Sequence, residues 1–393
     1  MNPYLVNKLN KCRILICYEE TGGGHKYAAE AVRLAIEELR QDSQDVEVTI
    51  EAMIKKTNIL NHLFVELYNY LLRDHQNWMK YYCWFIEFLK PNQTWLGYKL
   101  SGTYLRNMLI RVRPSIVVSV HPMANHYIAL AMKDIGLVGK VKLVIVVTDP
   151  NAALWSGWAC TDADLIIAPN DLARDRLIEL GIVPDRISMI GMPIEPIFLH
   201  PPAVSKEDLL SQLALDPKRL TILLSGGWAG GGAVAQIYQA LEQITRPIQV
   251  IVLCGHNDSL LTEMRRRKEQ SVLPTAVLPY TDLLSSLMNA CDLIVTKSGG
   301  LTTFEAIARR LPMAIDLLTE PMPQEVGTAK MLIEANLAKP LRKVEDIVPI
   351  VESLKIVENR ESQALPTAHN LDRTDAVYDI AKTILSFRYP IGE

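Results

Sequence analysis

The 393-residue chain reads as an α/β protein of two doubly wound halves. Three observations predict this. Strand-length apolar runs recur, and most of them lead into a turn or glycine-rich segment and then a helical pattern. The theme restarts after Met192-Pro-Ile-Glu-Pro-Ile-Phe-Leu-His-Pro-Pro202, whose four prolines within eleven residues suit an interdomain connector. The length also exceeds what one ordinary core organises. The expected division is residues 1–200, residues 201–373, and a last helix within 374–393 that could pack outside the second domain.

The elements follow in order. Arg13–Cys17 is a short apolar run that meets Thr21-Gly-Gly-Gly24. Apolar Ala28, Ala31, Val32, Ala35, Ile36 and Leu39 then recur at helical spacing up to about Arg40. Val46–Ile50, Ser115–Val120, Leu143–Val147 and Leu165–Ala168 are further strands, and Asp171–Leu180 is a helix closed by Gly181. In the second half Leu220–Leu224 is a strand leading into Ser225-Gly-Gly-Trp-Ala-Gly-Gly-Gly232 and a helix to about Ile244. Gln249–Cys254, Leu293–Thr296 and Met313–Asp316 complete the buried strands, and Thr374–Phe387 is the final helix. Repeated β-loop-α units mean parallel sheets with helices on both faces, so ligands are expected beyond the carboxyl ends of the strands.

Composition excludes several classes. The chain is 49% hydrophobic with net charge −3, which rules out global disorder and argues against a dedicated nucleic-acid binder. No run approaches the roughly 20 apolar residues of a spanning helix. Lys8, Lys11 and Arg13 precede only a short apolar run with no small-residue cleavage site, which reads as no signal peptide. Cys12, Cys17, Cys83, Cys160, Cys254 and Cys291 are scattered without metal-ligand spacing and read as buried free thiols in a reducing cytosol. No metal and no cofactor is expected.

Several loops could carry chemistry. In Thr296-Lys-Ser-Gly-Gly-Leu-Thr-Thr-Phe-Glu305 a buried strand runs into two glycines and a helix. Its backbone N–H groups, with Ser298, Thr302 and Thr303, suit phosphate oxygens, and Glu305 suits ribose hydroxyls. The plainer reading is a capped helix start. Thr21-Gly-Gly-Gly-His25 has the same layout: Gly23 and Gly24 allow a close backbone approach, and His25, at a helix start that disfavours imidazolium, suits a general base. A packing histidine is the alternative there. Asp149 and His121 each follow a buried strand, where a turn role competes with a catalytic or acceptor-binding one. Neither glycine loop is a Walker A motif. Gly230-Gly-Gly232-Ala-Val-Ala235 formally fits a dinucleotide fingerprint, without an acidic residue at the end of the next strand. Asp162-Ala-Asp164 resembles a two-carboxylate metal motif but precedes a strand, which favours a turn or cap.

Residues 55–113 hold 12 of the 26 aromatics and nine Lys/Arg against three Asp/Glu, a local charge of +6 against −9 elsewhere. Trp78, Tyr81, Tyr82, Trp84 and Phe85 lie in one run here. Tyr and Trp favour membrane interfaces, and basic residues favour anionic headgroups. A helical insertion dipping into one leaflet is the sharp reading, and a helical subdomain packing its own aromatics is the plain one.

The motifs together resemble the monogalactosyldiacylglycerol synthase and processive diacylglycerol glucosyltransferase family, and more distantly the cell-wall N-acetylglucosaminyltransferase acting on lipid-linked muramyl peptide. The segments that carry this are Thr21–His25 with Ala28 and Ala29, Thr148-Asp149, Gly191-Met-Pro193 with Phe198, Cys254–Asn257, Thr296–Gly299 with Glu305, and Pro323-Gln324-Glu325. The resemblance implies a GT-B fold of two Rossmann-like domains with an interdomain cleft. It implies an acceptor half with His25 as base and Asp149 beside the reaction centre. It implies a donor half in which Gly226, Gly227, Ser298, Gly299, Gly300, Thr302, Glu305, Gln324 and Glu325 hold a UDP-sugar. Inversion by direct displacement follows, with UDP stabilised by helix N-termini. The sequence departs from the family at Trp228-Ala229 in the glycine loop, has no His shortly before Trp155 and Trp158, and has Thr328 where the family has Asn.

The expected function is transfer of a hexose, galactose or glucose, from a UDP-sugar to diacylglycerol or a related lipid. The expected setting is a cytoplasmic enzyme held peripherally on an anionic membrane. A transferase with a non-lipid acceptor, a UDP-sugar epimerase, and a silent nucleotide-sugar-binding protein are the alternatives.

Overall fold

The computed structural model describes residues 11–40, 45–354 and 368–388. Its described residues group into two compact units. One comprises Met1–Tyr68, Tyr81–Pro196 and Asp375–Glu393; the other comprises Asn69–Lys80 and Ile197–Thr374.

The first unit is built on a six-stranded sheet in the order β2-β1-β3-β4-β5-β6. Its strands are β1 (Cys12–Tyr18), β2 (Val46–Ala52), β3 (Ile116–Ser119), β4 (Lys142–Val146), β5 (Leu165–Ala168) and β6 (Ile187–Met189). Every pairing is parallel. The central strands β3 and β4 are buried along nearly their whole length, as expected of a parallel sheet covered on both faces. The helices are α1 (Gly24–Leu39), α2 (Ile59–Asp74), α3 (Met79–Leu89), α4 (Trp95–Val112), α5 (Asn125–Asp134) and α6 (Asp171–Glu179), the last residues of α2 and the first of α3 grouping with the second unit. The apolar stripe of α1 buries Ala28, Ala31, Val32, Ala35 and Ile36, as its spacing predicts. The helix α6 ends at Gly181, whose φ of +96° is the left-handed conformation a C-terminal glycine supplies.

The second unit repeats the plan in the order β12-β11-β10-β7-β8-β9, again all parallel. Its elements are α7 (Lys206–Gln212), β7 (Leu220–Ser225), α8 (Val234–Leu241), β8 (Ile248–Leu253), α9 (Asp258–Gln270), β9 (Thr275–Leu278), α10 (Leu284–Ala290), β10 (Leu293–Thr296), α11 (Gly300–Ala308), β11 (Met313–Asp316), α12 (Pro323–Glu334), β12 (Ala338–Leu341) and α13 (Ile347–Ser353). The last helix, α14 (Ala376–Ser386), returns to the first unit and packs on α1. There the Tyr378 hydroxyl donates to the Glu38 carboxylate, and Arg388 pairs with Asp45.

Two expectations resolve here. Asp164 uses one carboxylate oxygen to hold Lys142 at 2.8 Å and the other to accept the Leu143 N–H at 2.8 Å. It pins the amino end of β4, at the end of the sheet opposite the loops, which is a structural role. Five cysteines are buried and Cys83 is half-buried, all as free thiols.

Candidate active site

In both sheets the loops leave the carboxyl ends of the strands, and the predicted residues gather there in two sets, one per unit.

The first set surrounds His25, at the second position of α1. Its Nδ1 lies 2.8 Å from the Val120 carbonyl oxygen. A carbonyl only accepts, so Nδ1 carries the proton and Nε2 keeps its lone pair. The Thr148 hydroxyl stands 3.3 Å from the same Nδ1. Burial lowers the His25 pKa to about 4, with the Val120 carbonyl opposing in part, so the ring is neutral at ordinary pH.

His121 is its neighbour, edge-on, with ring centroids 4.3 Å apart. The Met123 N–H donates to His121 Nδ1, which makes Nε2–H the donor to the Thr21 hydroxyl at 2.8 Å. Burial, then repulsion from His25, holds His121 well below its usual pKa. His121 is 3% exposed and contacts both Thr21 and the His25 ring.

The resemblance places Asp149 beside the reaction centre. Its Oδ2 accepts the indole N–H of fully buried Trp158 at 2.6 Å, and the ring of Trp158 lies 6.1 Å from that of His25. The groups seen holding His25 are the Val120 carbonyl and Thr148. The sequence alone gives Trp158 no role at the site. Its partnership with Asp149, nine residues away, depends on a short 3-10 turn at Ser156–Trp158. Asn125 donates to the Gly157 carbonyl at 3.0 Å and fixes that turn. Gly24 is open on its side-chain side, with nothing within 4 Å of where a Cβ would stand, so it leaves free space at the loop.

The second set surrounds the glycine loop after β7. A Cβ on Gly230 would come 1.9 Å from the Cys254 carbonyl oxygen, and Gly230 has φ +69°. A Cβ on Gly232, at φ +91°, would come 2.7 Å from Asp316 Oδ2. Asp316, at the end of β11, ties the loop by accepting the Ala233 N–H at 2.8 Å and the Leu318 N–H at 2.9 Å. Gly226 packs against Gly230 and Gly231, and Gly227 has φ +71°. The departure at Trp228-Ala229 therefore leaves the turn intact, with Trp228 resting against His256 at 4.9 Å between ring centroids.

Across this loop lies the start of α11. Ser298 is buried, and its hydroxyl donates to the Glu325 carbonyl at 3.1 Å, joining the starts of α11 and α12. Gly299 caps α11 without a side-chain acceptor, and Gly300 opens it, so its first N–H groups are free to meet an anion. Glu325 has one carboxylate oxygen buried without a hydrogen-bond partner, and burial raises its pKa against the opposing charge of Lys297. An acceptor atom so placed suits a ligand hydroxyl. Gln324 lies at the start of α12, its amide reaching the Met322 sulfur, and Thr302 is half-buried.

One detail revises the expectations. The Thr303 hydroxyl turns back to the Gly299 and Gly300 carbonyls at 2.9 and 3.1 Å, so it closes the helix turn and is not a phosphate ligand. Glu305 is only 6% exposed within α11. Lys297, which the motif contained but the predicted site did not, places its Nζ 3.2 Å from where a Gly231 Cβ would stand and 3.4 Å from Gln76 Oε1. It supplies a cation at the loop.

The first unit also carries an apolar outer face. Tyr81, Trp84, Phe85 and Phe88 recur at helical spacing on α3 and are 62%, 66%, 46% and 72% exposed, while Met79 and Ile86 face inward. Ile59, Leu63 and Phe64 of α2 and Trp95, Leu96 and Leu100 of α4 are also exposed. Tyr82 is half-buried, and Trp78, in the segment grouped with the second unit, is exposed. No described helix is long and apolar enough to cross a membrane.

Comparison with known proteins adds to this geometry. Residues 25–194 match the family described as monogalactosyldiacylglycerol synthase, and residues 160–366 match the family described as UDP-N-acetylglucosamine 2-epimerase. A probable chloroplastic monogalactosyldiacylglycerol synthase of Nicotiana tabacum is 28% identical over 94% of this chain and 69% of its own length. Monogalactosyldiacylglycerol synthase 2 of Arabidopsis thaliana is 27% identical over 94% of this chain and 80% of its own length. Among solved structures, Acinetobacter baumannii MurG superposes with TM-score 0.57 at 16% identity, covering 96% of this chain and 99% of its own. A putative UDP-N-acetylglucosamine 2-epimerase of Listeria monocytogenes gives 0.61 at 16% identity, covering 96% of both chains. These structures share the GT-B fold with this chain.

Proposed function

We propose that this chain, a glycosyltransferase related along almost its whole length to the monogalactosyldiacylglycerol synthases and belonging through residues 160–366 to the UDP-N-acetylglucosamine 2-epimerase family, transfers a hexose from a UDP-sugar to diacylglycerol or a related lipid with inversion. The observation that carries this reading is His25: a neutral imidazole whose Nδ1–H is fixed by a carbonyl, leaving Nε2 free to take a proton.

The chemistry is one displacement. The acceptor hydroxyl gives its proton to His25 Nε2 while its oxygen bonds to the anomeric carbon. The bond from that carbon to the UDP oxygen breaks on the opposite face, which inverts the centre. The Val120 carbonyl and Thr148 stabilise the imidazolium that forms. The glycine loop, the free N–H groups opening α11 and the ammonium of Lys297 take up the charge on departing UDP. Glu325 and Gln324 receive hydroxyls of the sugar, and Glu305 those of the ribose.

The exposed aromatic face of α3 with its neighbours on α2 and α4 suits the interfacial zone of a bilayer, and the +6 charge of residues 55–113 suits anionic headgroups. A lipid acceptor and a peripheral position at the membrane follow from the same surface. Epimerisation of a UDP-sugar is the second reading, favoured by the family of residues 160–366. An epimerase has no use for a lipid-facing surface. Incubating the protein with UDP-galactose or UDP-glucose and diacylglycerol vesicles, and analysing lipids and nucleotides by mass spectrometry, tests the proposal. A hexosyl lipid supports it. An isomerised UDP-sugar with no lipid product overturns it.

A further inference from the structure

The segment Asn69–Lys80 joins α2 to α3, inside the stretch that the sequence reads as a membrane insertion, yet it groups with the second unit. Two contacts set it on the loops of that unit. Lys80 pairs with Glu320 at 3.0 Å, shortly before α12 begins. Gln76 opens the 3-10 turn Gln76–Trp78, and its Oε1 accepts from Lys297 Nζ at 3.4 Å. Both of these atoms lie 3.2 Å from where a Cβ on Gly231 would stand, and the Leu72 carbonyl oxygen lies 4.0 Å from it. The missing side chain of Gly231 makes the room in which Gln76 meets Lys297.

Charge decides what this contact does. An ammonium has three N–H donors and no acceptor, so of the two ends of the Gln76 amide only the oxygen can face it. The amide keeps that orientation although its Nε2 is buried without a hydrogen-bond partner among the described residues, which is a cost. A neutral acceptor fixes the direction of the Lys297 ammonium and leaves its positive charge in place. A carboxylate at the same position would cancel that charge. Glu325 is already within electrostatic reach of Lys297, so a second acid would give the loops an excess of negative charge where an anion is to bind.

We propose that Gln76 is a positioning residue of the donor site. From outside the glycine motifs it holds the Lys297 ammonium against the glycine loop, so that the remaining N–H groups of Lys297 meet the diphosphate of a UDP-sugar. This role rests on the reading of the second unit as the donor half.

Calorimetric titration of the full chain with UDP tests it, in the wild type, Gln76→Ala, Gln76→Glu, Lys297→Ala and the double variant of Gln76→Ala with Lys297→Ala. Gln76→Ala should weaken UDP binding by roughly ten-fold, the loss expected with one charged hydrogen bond. Gln76→Glu keeps an acceptor oxygen of the same reach and should melt at or near the wild-type temperature. It should nevertheless weaken UDP at least as much as Gln76→Ala, because its charge opposes the diphosphate. In the Lys297→Ala background Gln76→Ala should have no further effect, whereas a merely structural glutamine would cost the same in both backgrounds. Unchanged affinity in Gln76→Ala, wild-type affinity in Gln76→Glu, or equal losses in the two backgrounds would each overturn the role of Gln76 and leave the donor reading standing. Absence of UDP binding by the wild type would overturn the donor reading, and this role with it.

Discussion

Replacing His25 by alanine is expected to lower kcat/KM for transfer by about 10²–10⁴-fold, the range a positioned general base supplies. At 1.36 kcal/mol per factor of ten, this is about 3–5 kcal/mol of transition-state stabilisation. The structure separates this loss from others. The variant leaves the Val120 carbonyl without its donor, a stability cost of about 1 kcal/mol, which leaves a folded protein. The glycine loop and the start of α11 are in the other unit, so UDP affinity measured by calorimetry should stay near wild type. The pH profile gives a second reading. Burial holds the His25 pKa at about 4, and the base is the unprotonated form. Activity should therefore be flat as pH falls from 8 to 5.5 and drop as pH passes through about 4. A histidine of ordinary pKa near 6.5 would already have lost roughly ten-fold at pH 5.5. Wild-type turnover in the variant, or an inflection near pH 6.5 in kcat/KM, would refute the reasoning.

Other substitutions test the remaining parts. Trp158→Phe removes the indole donor to Asp149, so it should lower the melting stability by about 1 kcal/mol and reduce kcat more than it raises KM. Gly230→Ala drives a Cβ against the Cys254 carbonyl and should reduce UDP affinity at least ten-fold in calorimetry; unchanged affinity would detach the loop from the donor. Gly24→Ala meets no neighbour and should melt at or above the wild-type temperature, so a raised KM for lipid in a stable variant would place the acceptor at that backbone. Trp84→Ser with Phe88→Ser should abolish flotation with anionic vesicles while the folded melt persists; undiminished flotation would remove the α3 face from membrane binding.

Much of the fold is legible because parallel strands buried on both faces are written as continuous apolar runs. The runs at β5, β10 and β11 match the observed strands to the residue. The helices around them follow from apolar spacing and end residues such as Gly181. What the pattern does not carry is which sheet a distant element covers. α14 reaches α1 through contacts such as Tyr378 to Glu38, 340 residues apart, and Asn69–Lys80 groups with the second unit although it lies within the first half of the chain. The site divides in the same way. The positions of His25 and Ser298 at loop-to-helix junctions are readable from glycine spacing, but the partner that the Ser298 hydroxyl takes, the Glu325 carbonyl, is not. The carbonyl of Val120, which sets the tautomer of His25, leaves no trace in residue type. Thr303 shows the opposite failure, since a hydroxyl in the right position is spent on its own helix turn.

The central claim is that the chain transfers a hexose from a UDP-sugar to a lipid hydroxyl with inversion. It is tested most directly by incubating the protein with UDP-galactose or UDP-glucose and diacylglycerol in anionic vesicles, then determining the anomeric configuration of any glycolipid by NMR. The account predicts a hexosyl diacylglycerol of configuration opposite to that of the donor, formed with one UDP released per sugar transferred. Retained configuration, or consumption of UDP-sugar with no lipid product, would contradict it.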